Sequence, residues 1–419
     1  MTQWTAPTPS VPLRATVVVP GSKSATARAY VLAALADAPS TLTGALDARD
    51  TRLMRRALTA LGVRFEDLPD GRVLVTPPDI FRAAPVEVGL AGTIMRFVPP
   101  LAALAQGPSR FSGDPEAEAR PVAPLLDGLT QAGVRIDHPG SLPFTVHGNG
   151  VVPGGKVTID ASGSSQFVSG LLLSGARFAR GLEIHHVGPA VPSRPHIRLT
   201  LAMLTDRGVA AQEVAPDVWR VAPGPVSARD EVIEPDLVNA AVFLAAALAA
   251  GGSVTVPWPE RTLQAQGTIL AALAALGGTV SRESGAVTVT GTGRIASADI
   301  DLTEASELTC IVAALLALAP DGGRIRGVGH IRGHETDRLA ALETELGARG
   351  AGIQQTDDGL LLTPGRLRGG LWGTYADHRM AHAGAVLGLA VPGVELEDVG
   401  ATTKTIADFP GLWSGLVGS

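Results

Sequence analysis

Apolar residues at helical spacing alternate along this chain with short stretches of β-branched residues, a pattern typical of an α/β protein. In five places an apolar helical stretch ends at a glycine and leads directly into the apolar start of a strand. The five glycines recur at intervals of roughly 70 residues and are Gly62, Gly133, Gly208, Gly277 and Gly350. A glycine just beyond the last turn commonly ends a helix because it adopts the left-handed conformation without steric cost. The pattern therefore predicts a repeated helix–glycine–strand unit.

The near-constant spacing favours an internal repeat over chance, although helix–glycine–strand is a common sequence in any α/β protein. Six copies fill the 419 residues, the sixth falling near Leu412–Gly418. We predict two lobes of three compact α/β subdomains each, with a Pro- and Gly-rich crossover at 222–226. One lobe should span residues 16–231 and the other residues 1–15 and 232–419. Two strands near 14–16 and 228–233 would link the lobes as a hinge, and an N-terminal strand would complete the last copy.

A strand, a break and a helix start follow one another near the N-terminus. The β-branched run over 16–19 predicts the strand, Pro20-Gly21 ends it, and a helix should open at Ser22 or Ser24. Backbone N–H groups and the helix dipole make such a helix start an anion site. The alternative is an ordinary strand–turn–helix with a serine N-cap. The spacing of glycine to lysine excludes a P-loop.

Lysine is scarce in this chain, which makes its position at the helix start informative. Only three lysines occur beside 31 arginines, and they are Lys23, Lys156 and Lys404. A compact, titratable ammonium differs chemically from a guanidinium, so Lys23 favours a chemical role for this segment. Arg28, one turn further into the helix, adds a second positive charge. We therefore predict a local anion site around Lys23 and Arg28.

The overall composition describes a folded protein, with 45% hydrophobic and 18% charged residues. A net charge of −6 argues against a partner that is nucleic acid or an anionic membrane. The single cysteine, Cys310, excludes a disulfide framework and a cysteine-based metal cluster, and we expect it to lie in the core. No signal peptide is recognisable, and the Ala/Leu runs at 240–250 and 311–319 are too short to span a bilayer. We expect a cytoplasmic protein.

Further segments in the first half combine small or polar residues with a predicted helix start. Gly92 would let a ligand approach the backbone, with Arg96 one turn inside the helix, although this signal alone is weak. Arg120 precedes another helix and could equally be a surface arginine. Ser164-Ser165-Gln166 places hydroxyls and an amide at a helix start, which suits a phosphate or a polyol, while a plain N-cap is the alternative.

In the second half, three segments are dense in charge. Glu335 and Arg338 are three residues apart, on one face beside a predicted helix start near Thr336. Arg379 repeats this theme in the next copy, and Lys404 carries the last lysine. Glu304 and Glu307 precede an apolar helix over 308–318, where an acid is either a capping charge or a base in a cleft. No acid–histidine cluster has metal-ligand spacing.

Taken in order, these segments resemble the EPSP synthase (3-phosphoshikimate 1-carboxyvinyltransferase) family over almost the whole chain. The ordered motifs are Pro20-Gly21-Ser22-Lys23-Ser24, Leu46-Asp47 to Thr51, Ala91-Gly92-Thr93 with Met95-Arg96, Arg120-Pro121, Ser164-Ser165-Gln166, Ser193 with Pro195, Glu335 to Leu339, Asp377 to Met380, and Lys404-Thr405. The resemblance implies two lobes, each of three βαβαββ units, joined by a two-strand hinge, with the active site between lobes that close when shikimate 3-phosphate binds. It also implies that no metal or organic cofactor takes part.

The implied reaction transfers the enolpyruvyl group of phosphoenolpyruvate to the 5-hydroxyl of shikimate 3-phosphate and releases phosphate through a tetrahedral ketal. The residues implied to hold shikimate 3-phosphate are Lys23, Ser24, Arg28, Ser164, Ser165, Gln166, Ser193, Glu307 and His334. Those implied to hold phosphoenolpyruvate are Lys23, Gly92, Arg96, Arg120, Gln166, Arg338, Arg379 and Lys404. Glu307 is the implied base, with Glu304 as its rival, and Glu335 the proton carrier at C3. Lys23 and Lys404 complete the catalytic set.

Five positions depart from the family's commonest pattern, and they are Leu90, Phe97, His196, His334 and Ala376. They leave sensitivity to glyphosate, a candidate inhibitor, open. One alternative is the sister enolpyruvyl transferase acting on UDP-N-acetylglucosamine, which uses a loop cysteine, whereas Cys310 is placed on a buried helix. Another is a non-catalytic binder of phosphorylated metabolites, which the intact Lys23, Arg120, Glu335 and Lys404 disfavour. We expect a monomer.

Overall fold

The computed structural model describes residues 2–137 and 140–418. The chain forms two compact units. Unit 1 contains the chain up to Pro20 and from Pro235 onward, and unit 2 contains Gly21–Glu234. Both crossings lie a few residues beyond the expected boundaries after residues 15 and 231, because the segments before each crossing still pair within the unit they leave.

The N-terminal segment contributes two strands to unit 1, β1 (Trp4–Thr5) and β2 (Leu13–Thr16). The helices of unit 2 are α1 (Lys23–Leu35), α2 (Arg49–Ala60), α3 (Gly92–Ala102), α4 (Pro115–Glu118), α5 (Ala123–Gln131), α6 (Ser165–Gly175) and α7 (Pro195–Thr205). Its strands are β3 (Ser40–Thr43), β4 (Arg64–Asp67), β5 (Val73–Thr76), β6 (Val86–Glu87), β7 (Gln106–Ser112), β8 (Arg135–Asp137), β9 (Phe144–Asn149), β10 (Gly155–Ile159), β11 (Leu182–His186), β12 (Ala211–Ala215), β13 (Val218–Val221) and β14 (Glu231–Val232).

The rest of unit 1 follows in the C-terminal half. Its helices are α8 (Leu237–Ala250), α9 (Gln266–Ala275), α10 (Thr309–Leu318), α11 (Arg338–Ala348), α12 (His378–Gly388) and α13 (Phe409–Val417). Its strands are β15 (Gly252–Pro257), β16 (Thr279–Glu283), β17 (Ala286–Gly291), β18 (Ala298–Asp301), β19 (Gly323–Arg326), β20 (Gly352–Thr356), β21 (Gly359–Thr363), β22 (Gly370–Trp372) and β23 (Val394–Leu396). Three short 3-10 turns occur at Ser306–Leu308, Gly329–Gly333 and Val399–Lys404.

Each unit contains three small sheets built on one plan. In unit 2 the strand orders are β14-β3-β5-β4, β6-β7-β9-β8 and β10-β11-β13-β12. In each of them the first pair is parallel and the following pairs are antiparallel. The chain order β6-α3-β7-α5-β8-β9 is that of a βαβαββ unit, with the short α4 before α5. The α/β fold of repeated subdomains is thereby confirmed.

Unit 1 repeats the plan with sheets β2-β15-β17-β16 and β18-β19-β21-β20, and with a shorter sheet β22-β23-β1. Two first strands are exchanged between copies. β2 precedes α1 in the chain but pairs with β15 in unit 1, whereas β14 precedes α8 but pairs with β3 in unit 2. The strand predicted over 16–19 is wrong in position, since β2 ends at Thr16 and only the Val17 N–H continues the ladder, to the Thr255 carbonyl. β1 completes the last sheet.

The five repeat glycines all adopt left-handed backbone conformations, with φ between 76° and 107°. Each follows the last turn of a helix and leads into a strand, as the pattern predicts, because a side chain at that φ would be strained. The segment proposed as a sixth copy differs: α13 ends at Val417 and Gly418 has φ −88°. The last sheet is completed instead by β1, which pairs with β23.

Each unit has its own apolar core, in which three almost fully buried helices pack against the inner faces of the sheets. In unit 2 these central helices are α1, α3 and α6, and in unit 1 they are α8, α10 and α12. Among the described residues, no helix is both long enough and apolar enough for a bilayer crossing. Because the central helices are buried on all sides, the polar groups at their N-terminal ends are the parts of them available for chemistry.

Candidate active site

In unit 2 the predicted site residues lie at the N-terminal ends of α1, α3, α6 and α7, except Arg120, which lies between α4 and α5. Arg28 shows that these ends lie at one level, because the sixth residue of α1 contacts residues at similar depth in the other three helices. Its guanidinium lies 2.8 Å from Thr200 Oγ1 on α7, 3.2 Å from Ser169 Oγ on α6 and 5.0 Å from the ring centre of Phe97 on α3. Four positive helix ends therefore lie side by side and favour an anion.

Arg28 is almost completely buried and uses its donors inside the protein. Besides the two hydroxyls, it donates to the Ser24 carbonyl at 2.9 Å and to the His196 carbonyl at 3.1 Å. Burial lowers the pKa of Arg28 from its ordinary value to about 9. All these partners are uncharged, so the positive charge of Arg28 is not compensated by a carboxylate.

A second group of unit 2 forms around Gly92, the first residue of α3. A methyl group at Gly92 would lie 2.6 Å from Arg96 Nη1 and 2.7 Å from Arg120 Nη2, so two guanidinium ends occupy the space that a side chain would fill. Arg96 donates to the Pro121 carbonyl at 2.7 Å and to Gln166 Oε1 at 3.3 Å. Arg120 donates to the Leu90 carbonyl at 2.7 Å. The structure thus brings together four residues predicted from three separate segments.

The serines at the start of α6 and before α7 have different local roles. Ser164 caps α6 by accepting a hydrogen bond from the Gln166 N–H at 3.2 Å, and Ser165 is buried as the first helical residue. Ser193 has φ 50°, a left-handed conformation that is uncommon for a residue other than glycine. Arg194, the next residue, is paired with Glu213 and Asp217 on the β12–β13 hairpin. Ser164 therefore acts as the N-cap of α6, which is the alternative role predicted for it from the sequence.

Lys23 is the first residue of α1, capped by Ser22, and it lies beside a carboxylate that sequence reasoning missed. Lys23 Nζ is 3.5 Å from Asp50 Oδ2, and Arg49 Nε is 3.6 Å from Asp50 Oδ1. Asp50 is buried in the first turn of α2, where the helix dipole stabilises its charge. Its position inside the matched segment from Leu46 to Thr51 was a signal that could have identified it.

In unit 1 two of the predicted cations, Arg338 and Lys404, are bound to carboxylates. Arg338, the first residue of α11, donates from Nε to Asp377 at 2.7 Å and from Nη2 to Glu335 at 2.9 Å. The Lys404 ammonium lies 2.5 Å from the other oxygen of Glu335. Burial alone would lower the pKa of Arg338, but the charges of Asp377 and Glu335 outweigh it and raise the pKa above its usual range. Glu335 therefore bridges two cations.

Asp377 and Asn239 organise Arg379 and were not predicted. Asp377 caps α12 by accepting from the Arg379 N–H at 2.8 Å, while its carboxylate also binds Arg338. The Arg379 guanidinium donates to Asn239 Oδ1 on α8 at 3.1 Å. Burial lowers the pKa of Arg379, and the nearby charge of Asp236 opposes this effect. Asp377 stood in a matched motif, whereas Asn239 lies in an apolar run that carries no local signal.

Glu307 lies on the Ser306–Leu308 turn, close enough for its charge to act on the neighbouring histidines. Burial lowers the pKa of His330 and, to a greater extent, that of His334, and in both cases Glu307 opposes the effect. His334 Nδ1 lies 3.0 Å from Arg338 Nη1, which can only donate, so His334 carries its proton on Nε2. Glu304 is exposed to solvent. Cys310 is buried on α10, as expected, and burial raises its pKa to about 12.

No three His, Cys, Asp or Glu side chains of the described residues are grouped as ligands for one metal ion. The chemistry assembled is that of guanidinium and ammonium groups with a few acids. Two units, each of three small α/β sheets with helix N-termini bearing cations, define an enolpyruvyl-transferase type of fold.

Comparison with known proteins agrees with this class. The model of the EPSP synthase (3-phosphoshikimate 1-carboxyvinyltransferase) family matches residues 7–413. An EPSP synthase from Acinetobacter baumannii superposes with a TM-score of 0.79 at 20% identity, covering 99% of this chain and 98% of that one. The enolpyruvyl transferase NikO from Streptomyces tendae gives a TM-score of 0.79 at 18% identity, covering 98% and 96%.

The chain belongs to the EPSP synthase family, since the family model spans nearly its whole length. The activity that goes with this family is transfer of the carboxyvinyl group of phosphoenolpyruvate to shikimate 3-phosphate, a step of the shikimate pathway. The two structural neighbours, at this level of identity, show the shared fold alone.

Proposed function

We propose that this chain catalyses enolpyruvyl transfer with uncompensated cations of unit 2 as ligands of the substrate anions, and with unit 1 supplying further cations for phosphoenolpyruvate and the acids that move the protons. The observation that carries this proposal is the contrast in the partners of the cations. Arg28 and Arg120 bind uncharged groups, which leaves their charge available to a ligand, whereas Arg338 and Lys404 hold the carboxylate of Glu335. Phosphates and carboxylates are the ligands that an uncompensated guanidinium prefers.

For shikimate 3-phosphate, the proposed ligands in unit 2 stand at the starts of α1, α6 and α7. They are Lys23, Ser24, Arg28, Ser164, Ser165, Gln166 and Ser193. Most N–H donors of Arg28 have partners inside the protein. We expect the phosphate either to replace one of these partners or to accept a hydrogen bond from the remaining N–H group. His334 offers one N–H donor from Nε2, because Arg338 occupies its Nδ1. A neutral donor stands here where the family usually has lysine.

For phosphoenolpyruvate, the proposed ligands are Lys23, Gly92, Arg96, Arg120, Gln166, Arg338, Arg379 and Lys404. The absence of a side chain at Gly92 allows Arg96 and Arg120 to direct two guanidinium ends at one point. Such paired guanidinium groups suit a phosphate or a carboxylate, each of which offers several acceptor oxygens. The substrates together carry two phosphates and two carboxylates, and their mutual repulsion requires several cations.

In the proposed mechanism Glu307 accepts the proton of the 5-hydroxyl of shikimate 3-phosphate, and the hydroxyl oxygen bonds to C2 of phosphoenolpyruvate. C3 takes a proton from Glu335, and the tetrahedral ketal forms. The ketal then breaks its C2–O bond to phosphate and returns a C3 proton to Glu335, which forms the enol ether of the product. The phosphate leaves with the proton that Glu307 took from the hydroxyl. Lys404 lies 2.5 Å from Glu335, so it can supply the proton that Glu335 passes on. Glu307 is preferred to Glu304 because Glu307 is half-buried on the Ser306–Leu308 turn, whereas Glu304 is exposed to solvent.

The test is release of inorganic phosphate from phosphoenolpyruvate in the presence of shikimate 3-phosphate, with identification of the enolpyruvyl product. We expect turnover with this acceptor and none with UDP-N-acetylglucosamine. Turnover with the sugar nucleotide instead would assign the chain to the sister activity. Binding of shikimate 3-phosphate without any phosphate release would make it a non-catalytic binder.

Lys23 gives a second, independent test. We expect Lys23→Met to lower turnover at least about 100-fold, since a positioned ammonium at the reacting phosphate is lost. The unfolding temperature should change little, because Lys23 is partly exposed and 3.5 Å from its carboxylate partner. Parallel losses of activity and stability would contradict the assigned role.

A further inference from the structure

A histidine outside the predicted set ties together two turns of unit 1 that carry proposed catalytic acids. His330 Nε2 lies 3.0 Å from Ser306 Oγ. Ser306 begins the Ser306–Leu308 turn and directly precedes Glu307, and His330 lies on the Gly329–Gly333 turn, which leads to His334 and Glu335. One side-chain hydrogen bond therefore joins the turn of the base to the turn before the proton carrier.

The turn that carries Glu307 has little regular structure of its own. It comprises three residues in 3-10 geometry, in which hydrogen bonds are poorer than in an α-helix. Its first residue is fully buried, and its carbonyl accepts the Thr309 hydroxyl at 2.7 Å, which fixes the side leading into α10. The Ser306 hydroxyl makes the contact that reaches across to another segment.

The other partner of this bond is held firmly. The His330 ring packs edge-on against His334 with 5.6 Å between ring centres, and His334 in turn binds Arg338. Arg338 is fixed by Asp377 and Glu335, so a continuous series of contacts runs from Ser306 to Glu335. A shift of His330 would change the position of Glu307 relative to Glu335.

We propose that His330 is a positioning residue, which through the Ser306 hydroxyl holds Glu307 in register with Glu335. The proposal rests on the proposed function, in which both acids act on neighbouring atoms of one adduct. Base and proton carrier must then stand at a fixed separation, and a displacement of about 1 Å can cost about 100-fold in rate. The role concerns geometry, so His330 itself gains and loses no proton in the reaction.

The test measures phosphate release with both substrates saturating, and then KM for each substrate. We expect His330→Ala and Ser306→Ala each to lower kcat about 10- to 100-fold while both KM values stay within about twofold. The double variant should be no slower than the slower single variant, because the two changes remove one shared contact. His330→Gln, whose amide nitrogen reaches about as far as Nε2, should recover most of the rate.

Matched controls separate this role from general loosening of the unit. Thr255→Val removes a hydroxyl–hydroxyl bond of 2.8 Å between β15 and β17 of the same unit and should leave kcat unchanged. Unfolding temperatures of all the variants should stay close to that of the unchanged protein. Additive rate losses, an unaffected Ser306→Ala, or no recovery with glutamine would overturn the proposal. A raised KM for shikimate 3-phosphate at unchanged kcat would assign His330 to substrate binding instead.

These outcomes are distinct from a failure of the proposed function. If the unchanged protein releases no phosphate from the two substrates, the reaction assignment fails. If it turns over and the variants at positions 306 and 330 behave like the control, only the positioning role fails.

Discussion

The two units present their helix N-termini differently, although they share one plan. In unit 2 the caps of the helices that carry site residues are Ser22 for α1 and Ser164 for α6, with no acidic cap at α3 or α7. In unit 1 the caps are Asp236 for α8, Asp337 for α11 and Asp377 for α12, while α10 begins after Leu308 and has no side-chain cap. Among the proposed ligands, Arg28 and Arg120 of unit 2 donate to uncharged groups, whereas Arg338 and Lys404 of unit 1 hold the carboxylate of Glu335. Two proposed ligands depart from this division, since Lys23 of unit 2 lies beside Asp50 and Arg379 of unit 1 donates to Asn239.

This difference separates two uses of one architecture. A neutral cap leaves the positive helix end and any nearby guanidinium available to an anionic ligand. An aspartate cap offsets that charge, and here the same carboxylate also holds an arginine in a fixed orientation. Unit 2 is therefore arranged to receive negative charge, and unit 1 to hold acids and bases in place. The predictions below test this comparison.

The largest effect is expected on the stability of unit 1. Asp377→Asn keeps a capping side chain of the same shape at α12 but removes the fully buried one of the two carboxylates that balance Arg338. Breaking a buried ion pair in this way typically costs about 3–5 kcal/mol of unfolding free energy. Denaturant unfolding measures the loss. Asp70→Asn, which weakens the exposed pair with Arg72, is the control and should change nothing measurable. Equal effects at both positions would refute the comparison.

For unit 2 the reverse is expected: loss of activity without loss of stability. Arg120→Met removes one hydrogen bond, to the Leu90 carbonyl, and a charge that no carboxylate among the described residues balances. We expect kcat/KM to fall about 100- to 1,000-fold, because a donor to the phosphoryl or carboxylate group is lost. Unfolding free energy should change by about 1 kcal/mol or less.

Inorganic phosphate sharpens the Arg120 experiment. It should raise the unfolding temperature of the unchanged protein, since a ligand that binds only the folded state stabilises it. The rise should be smaller in Arg120→Met. A rise of the same size in both proteins would place the anion elsewhere.

A pH-dependent effect of intermediate size is expected at His382 on α12. Its ring is fully buried against Phe409 and has no hydrogen-bond partner among the described residues. Burial, together with the charges of Arg379 and Arg338, holds the pKa of His382 well below its ordinary value. Below about pH 6.5 His382 becomes protonated in the unfolded chain but stays neutral in the folded protein. The free energy of unfolding therefore falls as the pH falls.

His382→Met removes this pH dependence while keeping an apolar side chain in the same space. Between pH 8 and pH 5, the variant should gain about 2 kcal/mol of unfolding free energy relative to the unchanged protein. Urea unfolding at the two pH values measures the difference. Parallel pH dependence in both proteins would show that His382 is protonated in the folded state.

The smallest effect is expected at Cys310. Because the thiol is buried and its pKa is raised to about 12, iodoacetamide should neither modify the folded protein nor inhibit it. Mass spectrometry and the phosphate-release assay measure both outcomes, with the urea-unfolded chain as a positive control for labelling. Rapid alkylation with loss of activity would indicate a reactive cysteine, as in the sister enolpyruvyl transferase.

Much of the local structure could be predicted from the sequence. The repeat glycines, the serine cap of α1 and the helix from Lys23 to Leu35 follow from short-range sterics and hydrogen bonding, which neighbouring residues determine. Strands that cross between the lobes near 14–16 and 228–233 were expected, but the partners of β2 and β14 were not, because a short strand pairs with any edge of suitable register. The predicted strand was misplaced for the same reason, since β-branched residues over 17–19 continue past the paired segment.

By itself, the sequence determined which chemical groups this protein has and that they stand at helix starts. Only the tertiary structure decided how they are paired. Arg338 meets Asp377 across 39 residues, Arg379 meets Asn239 across 140, and His330 meets Ser306 across 24. Those partners are chosen by the packing of helices and turns that are distant in the chain, and no local pattern encodes that packing. The neutral partners of Arg28 and Arg120 and the carboxylate partners of Arg338 and Lys404 are therefore a property of the folded protein.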